Sequence, residues 1–172
     1  MKILFAEIPE EGLSVEVKDQ AWFPDRDFNR KNNAYARLFF VKKGGIRVIV
    51  TGSLSVDLTF SCDRCLEEYV FPLCSEFSVD FELLKQGEGD HQEKEHYCSE
   101  TEMDVLYLDE PKIEVYEMLT QQLYIAAPDK RICSEACKGL CSGCGANLNI
   151  SACNCAKDIR NSPFGVLAKI KK

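Results

Sequence analysis

The chain is poor in the residues that most catalysis relies on. Its 172 residues include only two histidines, His91 and His96, and both fall in one polar stretch. Histidine is the side chain whose ordinary titration lies nearest neutral pH, so general acid–base chemistry and nucleophile activation have little material here. No Gly-rich loop opens a helix to cradle phosphate, and no pair of carboxylates stands apart from the others. We therefore expect no enzyme. Long apolar runs are also missing. The opening segment offers four apolar residues, Ile3 to Ala6, before Glu7, where a secretion leader needs roughly 7–15. No stretch approaches the ~18 apolar residues of a membrane span. The expected setting is the cytoplasm, without a membrane partner. Net positive charge is absent as well: the balance is −7, so bulk charge does not draw the protein to nucleic acid.

That balance is uneven. Between Asp80 and Glu117 thirteen acids face three bases, and the rest of the chain is net positive. One basic cluster comes early (Arg26, Arg30, Lys31, Arg37, Lys42, Lys43, Arg47) and another late (Lys138, Lys157, Arg160, Lys169, Lys171, Lys172). If they share a face, salt-dependent RNA binding follows. The acidic window reads either as a solvated loop or as an acidic face serving another, basic partner.

What the chain has in abundance is cysteine, ten in all. In a reducing compartment this points to metal or redox chemistry rather than to disulfides. Six cysteines lie in one segment: Cys133, Cys137, Cys141, Cys144, Cys153 and Cys155. In Cys141-Ser-Gly-Cys144-Gly145, two thiolates can reach one ion, and Gly145 allows the backbone turn that aims amides at sulfur. A closed four-sulfur site is structural rather than catalytic. The favoured ligand set is Cys133, Cys137, Cys141 and Cys144 around zinc. Sets using Cys153 or Cys155 stay open, and so does an iron–sulfur cluster. Lys130, Arg131, Lys138 and Lys157 can soften the charge of such a site. Cys62-Asp-Arg-Cys65 is a second C-x-x-C, read as joining Cys153 and Cys155 in a second metal site, as packing or as a redox dithiol. Cys74 is expected in the core. His91, His96 and Cys98 can chelate in principle, although a solvated loop is the plainer reading.

The first half reads as strands. Leu13, Val15 and Val17 alternate, and Arg37 to Val41 leads through a Gly44-Gly45 turn into a long alternating run from Ile46 to Phe60, with Gly52 marking a bulge or close packing. After a turn at Cys62–Glu67, Tyr69, Phe71 and Leu73 share a face, with Phe77, Val79 and Phe81 beyond. Residues 86–103 read as a polar loop and Val105–Leu108 as a short strand. Asp109 and Pro111 signal a helix start, an apolar stripe from Ile113 to Leu123 fills the helix, and Pro128 closes it. Phe164, Val166, Leu167 and Ile170 suggest a C-terminal helix. The expected class is α+β: an antiparallel sheet or partly closed barrel, one main helix, a small zinc module and the C-terminal helix. A β-rich domain over 1–128 precedes a cysteine-rich module with a basic tail over 129–172.

The order of these motifs is specific. Cys62-Asp-Arg-Cys65-Leu66-Glu67 follows a strand containing Gly52. A helix ends Leu123-Tyr-Ile-Ala-Ala-Pro128. Then come Cys137-Lys-Gly-Leu-Cys141-Ser-Gly-Cys144-Gly-Ala-Asn-Leu-Asn149, Asp158-Ile-Arg160 and Pro163-Phe-Gly-Val-Leu-Ala-Lys-Ile-Lys171. Over nearly its whole length the chain resembles the YceD family, the large ribosomal RNA subunit accumulation proteins of bacteria and plastids. The resemblance implies a non-enzymatic role in 23S rRNA accumulation and large-subunit maturation, with large-subunit rRNA or a ribosomal protein as partner. It carries over no RNA-contacting residue.

Overall fold

Alternation between Val48 and Phe60 requires a strand with one dry face. The computed structural model, which describes residues 1–84 and 105–155, has that strand at its centre. In chain order the described elements are β1 (Lys2–Leu4), β2 (Leu13–Val17), β3 (Asn29–Arg30), β4 (Tyr35–Lys43), β5 (Arg47–Ser61), β6 (Glu68–Leu83), β7 (Val105–Leu108), β8 (Lys112–Glu114) and α1 (Val115–Ala126). One sheet runs β2-β4-β5-β6-β7, with β3 pairing β5; a separate two-stranded sheet joins β1 to β8.

Two units pack internally, Met1–Thr59 with Val70–Pro128 and Phe60–Tyr69 with Asp129–Lys172. In the first unit, the Gly44–Ile46 turn lays β4 against β5 in continuous antiparallel register from Tyr35↔Ser55 to Lys43↔Arg47. Every second residue then faces inward: Ala36, Leu38 and Phe40 on β4, and Val48, Val50, Leu54, Val56 and Leu58 on β5, are all buried. Gly52 sits opposite Leu38 within that unbroken register, so it marks close packing and not a bulge. A Cβ there would lie 2.7 Å from Leu38 Cδ2 and from Phe77 Cζ.

Several expectations need correction. The sheet is open, not a partly closed barrel, because β2 and β7 end it without pairing each other. It is also mixed. β6 and β7 run parallel, from Asp80↔Val105 to Leu83↔Leu108, and the intervening chain exceeds the dozen or so residues a parallel connection needs. Cys74 is exposed, because β6 buries its odd-numbered positions, Leu73, Val79 and Phe81. The helix begins at Val115 rather than after Pro111, since Lys112–Glu114 is drawn into pairing with β1, Ile3 opposite Ile113. Its buried stripe is Val115, Met118, Leu119 and Leu123. A segment that gave no periodic signal lies along this helix: Tyr116 donates to Asp19, Thr120 to the Trp22 carbonyl and Tyr124 to Asp27. The expected polar loop, the His91–His96–Cys98 group and the C-terminal helix lie outside the described residues.

Candidate metal centres

The second unit is built on two turns with the same backbone. In the turn between β5 and β6, the Cys62 amide donates to the Glu67 carbonyl at 2.9 Å and the Leu66 amide to the Cys62 carbonyl at 2.9 Å. In the other turn, the Cys141 amide donates to the Ala146 carbonyl and the Gly145 amide to the Cys141 carbonyl, both at 2.8 Å. The fifth residue of each turn is left-handed, Leu66 at φ 61° and Gly145 at φ 72°. This bend turns the amides between the two cysteines toward the first sulfur, and Gly143 N lies 3.4 Å from Cys141 Sγ.

Each turn receives a second pair of thiols. Cys62 and Cys65 meet Cys133 and Cys137, while Cys141 and Cys144 meet Cys153 and Cys155. Within each group all four sulfurs lie within 4.8 Å of one another. The expected set of Cys133, Cys137, Cys141 and Cys144 is thus divided between two groups, and Cys62 and Cys65 meet Cys133 and Cys137 rather than the expected Cys153 and Cys155. Cys133 and Cys137 lie on a loop tied to the first turn, where Asp63 N donates to the Arg131 carbonyl, Arg131 N donates to Asp63 Oδ2, and Arg64 Nη1 donates to the carbonyls of Glu135 and Cys137. Asp63 and Arg64 therefore position the loop that carries Cys133 and Cys137. Nothing in the spacing of the chain signals this, although eight cysteines arranged in four close pairs suit two four-sulfur groups better than one.

The distances test the fit to a metal. Cys62 and Cys137 sulfurs are 3.9 Å apart, and Cys65 and Cys133 sulfurs 3.8 Å. A disulfide needs about 2.05 Å. A tetrahedron with Zn–S bonds of about 2.3 Å has edges of about 3.8 Å. These sulfurs are therefore spaced as ligands of one ion.

Their protonation is in conflict without a cation. The Cys133 amide, 3.4 Å from Cys62 Sγ, together with the amides of Cys65 and Arg64, draws the Cys62 thiol down to about 6. Asn149 Nδ2, 3.3 Å from Cys137 Sγ, lowers Cys137. Burial, with the Cys137 and Cys62 sulfurs, pushes Cys133 up to about 12. In the second group the Cys144 and Gly143 amides draw Cys141 down to about 6, while the neighbouring Cys144 and Cys141 sulfurs push Cys155 up to about 12. Four thiolates this close repel one another, and a divalent ion among them removes the conflict. Asn149 also accepts from the Lys138 amide at 2.7 Å, fixing its donor toward sulfur. Sequence reading placed Asn149 only within a motif and missed this role.

The groups differ in exposure. In the first group Cys62, Cys65 and Cys137 are buried and Cys133 is exposed, whereas in the second Cys144 and Cys155 are exposed and Cys141 and Cys153 intermediate. Of the expected charge-softening residues, Arg131 stacks its guanidinium 4.7 Å from the Phe60 ring centroid, and Lys157 lies outside the described residues. Three of the early basic residues are engaged within the first unit: Arg30 with Asp25, Arg37 with Glu16 and Arg47 with Asp80. Lys169, Lys171 and Lys172 lie outside the described residues. No helix among the described residues is long and apolar enough to cross a membrane.

An open mixed sheet joined to a module of paired-cysteine turns is the class of protein these features define. The chain belongs to the YceD family: the family described as large ribosomal RNA subunit accumulation protein YceD matches residues 50–171, a span that includes both cysteine groups. It is also similar to the large ribosomal RNA subunit accumulation protein YCED homolog 1, chloroplastic, of Arabidopsis thaliana, with 30% identity over 61 residues, 36% of this chain and 19% of that protein. The matched part thus spans about a fifth of that relative. No solved structure matches the chain.

Proposed function

We propose that this protein is a non-catalytic factor for accumulation of large-subunit ribosomal RNA, working in the cytoplasm, and that two structural zinc ions hold its cysteine module. The observation that carries the role is family membership across residues 50–171, together with the function printed in the name of the plastid relative. The zinc reading is supported by sulfur spacings that match a tetrahedral edge. Four thiolates per group leave no place for water or substrate, which suits a structural ion. The separate groups also give Cys62 and Cys65 a reason to be paired that needs no redox cycle.

The role is tested by depleting the protein in cells and measuring the ratio of large- to small-subunit rRNA. The ratio should fall, and the wild-type chain should restore it while a Cys65→Ser, Cys144→Ser double variant does not. An unchanged ratio on depletion would rule the role out. Crosslinking in cells then separates direct rRNA contact from contact with a ribosomal protein.

A further inference from the structure

The first unit carries a cavity that neither the metal centres nor the family relationship accounts for. It has a volume of about 440 Å³ and opens between β7 and the β8–α1 segment, in the size range of cavities that take a ligand group. Its floor is apolar: Phe81 and Met118 are buried beneath it. Its rim is acidic, with Asp109, Glu110, Glu114 and Glu117, and Lys112 is the one cation lining it. Lys112 is held by Glu110 at 2.5 Å and Glu114 is held by Lys2 at 2.9 Å. Asp109 and Glu117 have no ion-pair partner among the described residues, so the rim keeps a negative excess.

The strand beside the cavity is itself incomplete. β7 ends the sheet, and among the described residues no strand pairs its outer side. Leu106 and Tyr107 are 46% and 53% exposed, and neighbouring strand residues point to opposite faces. Apolar surface is therefore open on both faces of this edge.

We propose that this cavity and the β7 edge are a docking site for a basic polypeptide segment with interspersed apolar side chains, supplied by another protein. Its lysine or arginine heads meet Asp109 and Glu117, and an apolar side chain enters the cavity. Charge complementarity selects this occupant. An RNA backbone is repelled by four carboxylates, and a bare metal ion gains nothing from an apolar floor. The chain's own residues 85–104 carry seven acids and two bases, so they are the wrong sign to fill it. The inference goes beyond the rRNA reading and stands without it, since its test measures binding with purified components.

The experiment is fluorescence anisotropy on the zinc-loaded full-length protein at low salt, using a labelled peptide that alternates lysine and leucine. Binding should weaken with added salt, and replacing lysine by glutamate in the peptide should abolish it. Asp109→Lys with Glu117→Lys should weaken binding about tenfold, and Leu106→Ser about fivefold. All three residues are exposed, so the circular dichroism spectrum should not change. A single-stranded RNA oligonucleotide should bind the charge-reversed variant as well as, or better than, the wild type. No peptide binding, equal binding by the variants, or loss of RNA affinity on charge reversal would each overturn the proposal.

Discussion

Leu66 and Gly145 occupy the same place in two C-x-x-C turns, both left-handed, at φ 61° and 72°, and each donates its amide to the carbonyl of the first cysteine. Only one of them is a residue for which that conformation carries no steric cost. A left-handed residue with a Cβ loses about 1–2 kcal/mol, and the Leu66 side chain is 66% exposed, so little burial offsets it. Glycine costs the chain roughly 0.5–1 kcal/mol in entropy. Leu66→Gly should therefore stabilise the module by about 0.5–1 kcal/mol on these two terms, and Gly145→Val should destabilise it by about 1–2 kcal/mol or more. Chelator competition reads the effect at each centre: Gly145→Val should release its metal sooner. A Gly145→Val protein that holds metal as the wild type does would break the link between this turn and the site.

Two zinc ions per chain are expected from elemental analysis of protein purified without chelators. Cys133→Ser and Cys65→Ser should each lose the same ion, and Cys144→Ser and Cys155→Ser the other. Combining Cys65→Ser with Cys144→Ser should leave none. If Cys133→Ser and Cys144→Ser removed one shared ion, the two-group arrangement would be wrong.

Metal release should come in two phases. Three of the first group's cysteines, Cys62, Cys65 and Cys137, are buried and only Cys133 is exposed, whereas no cysteine of the second group is buried and Cys144 and Cys155 face solvent. A chelator reaches exposed sulfur first, so the fast phase belongs to Cys141, Cys144, Cys153 and Cys155. A colorimetric zinc indicator follows both phases, and Cys144→Ser should remove the fast one alone. Because thiolates are the ligands, both phases should speed up with acid.

Gly52→Ala tests the packing between β4 and β5. The added Cβ would meet the buried Leu38 and, at 2.9 Å, the Arg37 backbone carbonyl, which cannot rotate away as a side-chain end can. A loss of about 1–3 kcal/mol is expected from overpacking of this kind, read from the denaturant midpoint. A neutral result would show that the strands separate freely at this point.

Local patterns were readable from the residues alone. Alternation placed β2, β5 and β6, an apolar run placed β4, Gly-Gly placed the turn between β4 and β5, and apolar spacing placed most of α1, because side-chain period follows directly from backbone geometry. The C-x-x-C pairs announced sulfur ligands for the same reason: two residues on one tight turn reach one ion. Tertiary structure alone decided which pairs come together. Cys62 and Cys133 stand far apart in the chain, and their meeting depends on how Asp63 and Arg64 tie down the loop around Arg131. It also decided that Cys74 faces out, that β8 pairs β1 before the helix begins, and that β7 runs parallel to β6. Each of these rests on the competition among distant segments for the same buried surface and backbone partners, a competition that no local period records.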